Sequence, residues 1–209
     1  MDSKILQGII KNQRKYNILK ELFRKSIHIC SAFVPLILYY YYWPTIILLI
    51  AAAILYTITQ LLMLNGLDVF FFSKIINLAS RKRDENKFVL GPLTLVFGIL
   101  LAALFLPFKS AMVGIFALSF GDGFASLFGK LFGKITIPGA RGKTVAGSMA
   151  CFLAVYISTF ATTGNCFISL LIAFIAMTIE VLPLADFDNL IIPLIIGSSY
   201  YFLSTCLPF

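Results

Sequence analysis

Charge is scarce in this chain of 209 residues, and negative charge is scarcest: 12% of residues are charged, with 9 Asp and Glu against 17 Lys and Arg. A soluble domain carries about twice that share, so a globule surrounded by water is excluded. Histidine occurs once, at His28, which rules out a zinc site built from several imidazoles. The four cysteines, Cys30, Cys151, Cys166 and Cys206, form no Cys-x-x-Cys pair. Lying in or beside apolar runs, they read as small buried residues. No repeat of fixed period and no low-complexity tract is present.

What the chain has is apolar length. Sixty per cent of its residues are hydrophobic and its mean hydropathy is +0.95. Windows of about 20 apolar residues mark membrane helices. They pick out about seven spans, near 27–42, 44–63, 90–107, 111–131, 145–163, 167–182 and 190–207. The first is short and reads as tilted or broken. The expected fold is an all-α, polytopic membrane helical bundle of about seven transmembrane helices. Residues 1–26 form a basic N-terminal segment, and 27–209 a single transmembrane domain that carries the candidate chemistry. Within 4–26, Ile5, Ile9, Tyr16, Leu19 and Phe23 fall near one helical face. An interfacial amphipathic helix and a solvated basic flank both fit that pattern. No convincing small-residue cleavage site follows it, so the first apolar run reads as a retained anchor. Residues 67–78 are apolar but too short to cross, and suit an interfacial or re-entrant piece.

The basic residues orient the bundle. Seven precede the first span, five lie between the second and third, and four between the fourth and fifth, together sixteen of the seventeen. With seven alternating spans these stretches share one side, which the positive-inside rule makes cytoplasmic. The N terminus is then inside and the C terminus outside. The net charge of +8 reads as topology and attraction to anionic lipid, not as nucleic-acid binding.

One acid stands out. Asp122 lies in an apolar run between Gly121 and Gly123, and a carboxylate at the centre of a membrane helix costs about 2.5–3.5 kcal/mol. Such an acid binds a ligand, relays protons or pairs with a cation across a helix interface. Soon after it come Gly129, Lys130, Gly133 and Lys134, then Arg141, Gly142, Lys143, Thr144, Gly147 and Ser148. A buried acid followed by a basic, glycine-containing loop is what a metal–phosphate site needs: glycine lets the backbone approach a phosphate, and Lys or Arg supplies charge. Gly147 and Ser148 either offer backbone donors to a phosphate or, for Ser148, cap a helix. Glu180 lies in an apolar helix and needs a partner. Asp186, Asp188 and Asn189 form the next turn, with helix capping as the default for Asp188 or Asn189. Asp122 together with these acids makes a set of oxygen ligands suited to Mg2+. Arg24 and His28 share a helical face at i, i+4 spacing ahead of the first span.

Two soluble-protein motifs fail. Gly142-Lys143-Thr144 ends like a phosphate-binding P-loop, but the glycine required five positions earlier is Ile137. Gly121-x-Gly123 begins a dinucleotide fingerprint whose third glycine is Ser126, with no strand before it.

Taken in order, Arg24-Lys25-x-x-His28, Arg83-x-Glu85 with Gly91, Gly121-Asp122-x-x-Ala125, Gly129-x-x-x-Gly133-Lys134, Lys143-Thr144-x-x-Gly147-Ser148, Glu180-x-x-Pro183 and Asp188-Asn189-x-x-x-Pro193 form a pattern. It resembles the CTP-dependent lipid-alcohol kinases: dolichol kinase, phytol kinase and the CTP-using diacylglycerol kinase. The likeness runs from Arg24 almost to the C terminus. It implies a multi-pass enzyme that moves the γ-phosphate of CTP to the hydroxyl of a membrane lipid alcohol with a divalent metal. The acceptor would be a polyprenol, a phytol-like alcohol or diacylglycerol. On the matching positions, Asp122, Lys143, Glu180 and Asp188 are the catalytic candidates, and Asp122 and Asp188 the metal ligands. The nucleotide would fall to Arg24, Lys25, His28, Gly121, Gly123, Lys134, Arg141, Gly142, Lys143, Thr144, Gly147, Ser148 and Asn189. Two departures are visible: Thr144 stands where serine is common, and 185–188 spreads the usual adjacent acidic pair. CTP in place of ATP comes from the resemblance alone.

Three other readings compete. A phosphatidate cytidylyltransferase also uses CTP, but its long C-terminal signature is missing. A proton-coupled transporter would use Asp122 and Glu180 as relay acids, yet the outer halves of the spans carry almost no polar side chains. A non-catalytic scaffold leaves the buried acid and the lysine loop without a role.

Overall fold

The computed structural model describes residues 18–67, 76, 87–140 and 142–207. Among them every regular element is helical, apart from a single antiparallel bridge between Thr136 and Thr144. Seven apolar helices follow in order: α1 (Ile18–Tyr40), α2 (Tyr42–Leu64), α3 (Gly91–Phe105), α4 (Phe108–Phe132), α5 (Val145–Thr163), α6 (Cys166–Val181) and α7 (Asp188–Cys206). By length and composition α1, α2, α4, α5 and α7 can cross a membrane, while α3 and α6 are shorter apolar helices. Five helices thus meet the length for a crossing where about seven were expected.

The helix boundaries have local causes. A turn at Ser31 and Ala32 breaks α1, as the short first span suggested. Pro92 opens α3, where its missing N–H costs nothing. Thr144 caps α5, its side chain accepting from the Gly147 N–H at 3.2 Å, and Gly164 closes that helix with φ +71°, a conformation glycine adopts without strain. Asn165 caps α6 by accepting from the Ile168 N–H at 2.9 Å.

α4 is the central helix, with 61% of its most apolar window buried. Its middle, Ala117–Asp122, is wound as π-helix, a rare geometry that recurs at functional sites. α5 packs against α4 and α6, and α7 against α3, α4 and α6. Side chains beyond hydrogen would keep these helices apart: a Cβ on Gly98 would overlap the Asn189 carbonyl, and one on Gly114 the Pro193 carbonyl. Small residues at such crossings are how membrane helices approach closely.

The structure describes only the end of the N-terminal segment. Residues 1–17 lie outside the described residues, as do most of 67–78 and 80–87. Residues 18–26, however, are the first turns of α1 itself, so no break falls at 26. Nor does the apolar face of this stretch point inward. Leu19 is 62% exposed, whereas Glu21, Lys25 and His28 are buried. In a membrane such an arrangement is stable: lipid covers the apolar side, and the polar side must find partners in the bundle.

Candidate functional site

α1 and α4 run antiparallel and meet along a polar seam. Residues 21, 25 and 28 recur every three to four positions and so share one helical face. They meet Ser126 and Asp122, spaced likewise on α4. The Glu21 carboxylate accepts from Arg24 at 2.6 and 2.7 Å, from Ser126 at 2.7 Å and from Lys130 at 2.6 Å. Lys25 donates to Asp122 Oδ2, and His28 Nδ1 lies 3.2 Å from the same oxygen, out of hydrogen-bond alignment. One turn further on, the Ser31 and Ser119 hydroxyls bond at 2.6 Å.

A second polar group joins α5 and α6. Ser148 Oγ donates to Glu180 at 3.0 Å. Lys143 lies 3.3 Å from the other Glu180 oxygen and donates to the Glu180 carbonyl. Lys143 is held there by a compact turn: the Ile137 N–H donates to the Lys143 carbonyl at 2.8 Å and the Val145 N–H to the Ile135 carbonyl at 3.0 Å. Gly139 and Gly142 have φ +78° and +82°, which only glycine accommodates readily. Nothing lies within 4 Å of where a Cβ on Gly142 would sit.

Between the two groups lies a cavity of about 440 Å³. Glu21, Arg24, Lys25, Asp122, Lys130, Gly142, Lys143, Thr144, Gly147, Glu180 and Asp188 are among its lining. It therefore brings together the starts of α1, α5 and α7 and the ends of α4 and α6. Of the described basic residues, only Lys109 lies at the opposite end of the helices. At that opposite end Tyr39, Tyr40, Tyr41 and Trp43 are all more than half exposed, as an interfacial aromatic belt would be.

No family model and no solved structure matches the chain. Curated proteins do. Phytol kinase 1, chloroplastic, of Arabidopsis thaliana is 27% identical over 201 residues, covering 86% of this chain and 66% of that protein. A probable chloroplastic phytol kinase of Triticum aestivum is 28% identical over 152 residues, covering 64% of this chain and 50% of that protein. CTP-dependent diacylglycerol kinase 1 of Eremothecium gossypii is 33% identical over 87 residues, covering 42% of this chain and 27% of that protein. The chain is thus similar to phytol kinases over most of its length and to a CTP-dependent diacylglycerol kinase over a shorter stretch. It spans about half to two thirds of the length of the phytol kinases it matches.

Of the residues expected from sequence, the fold brings Asp122, Lys143, Glu180 and Asp188 to one cavity, with Arg24, Lys25, Gly142, Thr144 and Gly147. Arg141 lies outside the described residues. His28 and Asn189 line a smaller adjoining cavity with Arg24, Lys25, Asp186 and Asp188. Lys134 is exposed beyond the end of α4.

Several of the expected residues also have structural partners. A Cβ on Gly121 would stand 2.8 Å from Val155 Cγ2, and one on Gly123 2.9 Å from Ile29 Cγ1, so these two glycines let α5 and α1 close around Asp122. Gly147 does the same for α4 and α5, since its Cβ would meet the Ala125 carbonyl at 2.7 Å. The Gly147 and Ser148 N–H groups are paired with Thr144, through Oγ1 and the carbonyl at 3.2 and 3.0 Å, and so do not stand open as backbone donors. Ser148 binds Glu180 and Thr144 does the capping. Phe187 holds the N-cap position of α7 without a side-chain bond, while Asp188, the first helical residue, accepts from the Asn189 N–H at 2.8 Å. The Asn189 side chain donates to the Gly91 carbonyl and Thr94 Oγ1, both at 3.1 Å, tying α7 to α3. Sequence reading missed Glu21 and Ser126, and placed Lys130 in the basic stretch without assigning it a role. The available signal was the spacing of Glu21, Lys25 and His28 on one helical face.

Proposed function

We propose that this chain transfers the γ-phosphate of CTP to the hydroxyl of a membrane lipid alcohol, at the charged end of the bundle. One observation carries the reading: Asp122, Glu180 and Asp188 face the same cavity as Arg24, Lys25 and Lys143. The cavity volume suits a small-molecule ligand. Phosphoryl transfer asks the protein mainly for positioning and charge neutralisation, and acids interleaved with fixed cations are the parts for that. The relatives' names supply the donor and acceptor classes.

The roles follow from where each group is held. Lys143, anchored on Glu180 by its turn, and Arg24 and Lys25 on α1 grip the triphosphate from two sides. Gly142 leaves room for a phosphate to approach the backbone. The acceptor stays in the leaflet and presents its hydroxyl at the polar edge of the cavity. The charged end faces the cytoplasm, in keeping with the clustering of basic residues.

Magnesium is implied by the donor chemistry. Among the described residues no three His, Cys, Asp or Glu side chains form a cluster able to hold a metal, so there is no preformed cage. Mg2+ usually keeps several waters and takes one or two carboxylates plus substrate phosphates, and Asp122 with Asp188 fits that requirement. When bound, the ion neutralises phosphate charge.

The test is incubation of the protein in lipid nanodiscs with γ-labelled CTP and phytol, a polyprenol or diacylglycerol. Label on the alcohol supports the proposal. A CDP-lipid would assign the chain to cytidylyl transfer, and no product with any acceptor would remove the enzymatic reading.

A further inference from the structure

We propose that Lys25 is the resident counter-ion of Asp122, and that it makes divalent-cation binding at Asp122 conditional on a nucleoside triphosphate. The inference rests on the reading of the charged cavity as the nucleotide site. It deepens that reading by assigning a positioning role to Lys25.

The geometry supports it at three points. First, the Lys25 and Asp122 side chains are only 5% and 9% exposed and form an ion pair across the α1–α4 seam. Second, His28 closes the other approach to the same oxygen, with Nδ1 at 3.2 Å. Third, among the described residues of the lining the formal charges cancel, with four acids (Glu21, Asp122, Glu180, Asp188) and four bases (Arg24, Lys25, Lys130, Lys143).

A bare divalent cation reaching Asp122 either displaces the Lys25 ammonium from Oδ2, leaving a buried positive charge without its partner, or binds the other carboxylate oxygen against the repulsion of that charge. Breaking a buried pair by removing one member is strongly unfavourable. A triphosphate removes the obstacle, because its oxygens accept the released ammonium in charge-assisted hydrogen bonds while the metal takes the carboxylate. The converse holds too: a triphosphate without metal meets described lining residues whose acids offset their bases. Each ligand therefore raises the affinity for the other, and by linkage the two effects are equal. The site takes the metal–nucleotide complex and refuses the free ion.

Mn2+ is a suitable probe, since the electron paramagnetic resonance signal of the free ion, read against protein-free mixtures of Mn2+ and CTP to account for their own complex, measures binding to the protein without turnover. The full chain in nanodiscs is titrated with Mn2+ in the presence and absence of CTP, and CTP binding is measured separately. Wild type is expected to bind Mn2+ tightly only with CTP. Lys25→Met is expected to bind Mn2+ without CTP roughly tenfold or more tighter than wild type. The double variant Lys25→Met/Asp122→Asn should lose that gain. A gain that is absent, or that survives Asp122→Asn, overturns the proposal. So does a wild-type Mn2+ affinity that CTP binding leaves unchanged, a comparison that decides the matter even if Lys25→Met does not fold. Failure of wild type to bind CTP in the separate measurement would overturn the nucleotide reading itself, and this inference with it.

Discussion

The two ends of this bundle are built on the same helices and have opposite chemistry. At one end α1 and α4 contribute Glu21, Arg24, Lys25, Asp122, Ser126 and Lys130 to a charged cavity of about 440 Å³. At the other, the same two helices contribute Pro35, Leu38, Phe108, Ala111, Met112 and Ile115 to an apolar cavity of about 260 Å³. Backbone architecture therefore does not distinguish a reactive end from an inert one. The difference lies in which side chains the shared seam carries, and in the partners that make buried charge tolerable there. An intramembrane acid is expensive unless paired, and every acid in the seam is paired.

If that contrast is functional, substitutions at the charged end should change chemistry, and those at the apolar end only stability. The largest effect is expected from Asp122→Asn, which keeps size and hydrogen bonding but removes charge. Phosphate transfer should fall by roughly 10³-fold; the Lys25 ammonium left without its partner should also lower the unfolding midpoint, so turnover is read on protein that circular dichroism and membrane insertion show to be folded. Retained turnover would remove Asp122 from the reactive centre. Gly147→Val comes next. The added Cβ meets the Ala125 carbonyl at 2.7 Å, forcing α4 and α5 apart, and displacement of that order costs up to about 10²-fold in rate. Activity measured beside thermal stability would show both falling.

Lys143→Ala should be smaller and more selective. Loss of a charged contact is worth about 1.5–3 kcal/mol, so the KM for CTP should rise roughly tenfold to a hundredfold with the KM for the alcohol little changed. Equal changes in the two would deny Lys143 its place on the triphosphate. At the apolar end Leu38→Ala should cost about 2 kcal/mol of stability and leave kcat/KM for CTP unaltered. Smallest of all is Ser119→Ala at the quiet end of the polar seam. Hydrogen bonds between membrane helices average about 0.6 kcal/mol, so a minor drop in unfolding midpoint is expected and no kinetic change.

The parts of this structure that were legible in the sequence are those fixed by solvent. Apolar runs of 15 to 25 residues leave few choices but helices, and the seven segments found by hydropathy correspond to α1 through α7. Asp122 was legible because its setting makes charge costly, and Lys143 because glycines frame it. Glu21 was not, because an acid on a basic amphipathic stretch looks solvated until the partner helix is known. In lipid the usual rule inverts, and the polar face of α1 is the buried one. The glycines are ambiguous in sequence for a related reason. Approach of a phosphate and approach of a neighbouring helix demand the same missing Cβ, and only coordinates assign Gly121, Gly123 and Gly147 to helix packing. Nor does any local signal distinguish the π-helical turns at Ala117–Asp122 from ordinary helix.

The most direct test of the account is a structure of the chain with CTP and Mn2+, using the anomalous signal of manganese to locate the ion. The account predicts the ion against the Asp122 carboxylate, with Lys25 turned to the phosphates and Lys143 on the opposite side of the triphosphate. Nucleotide bound elsewhere, or an ion distant from Asp122 with the Lys25 pair intact, would contradict it.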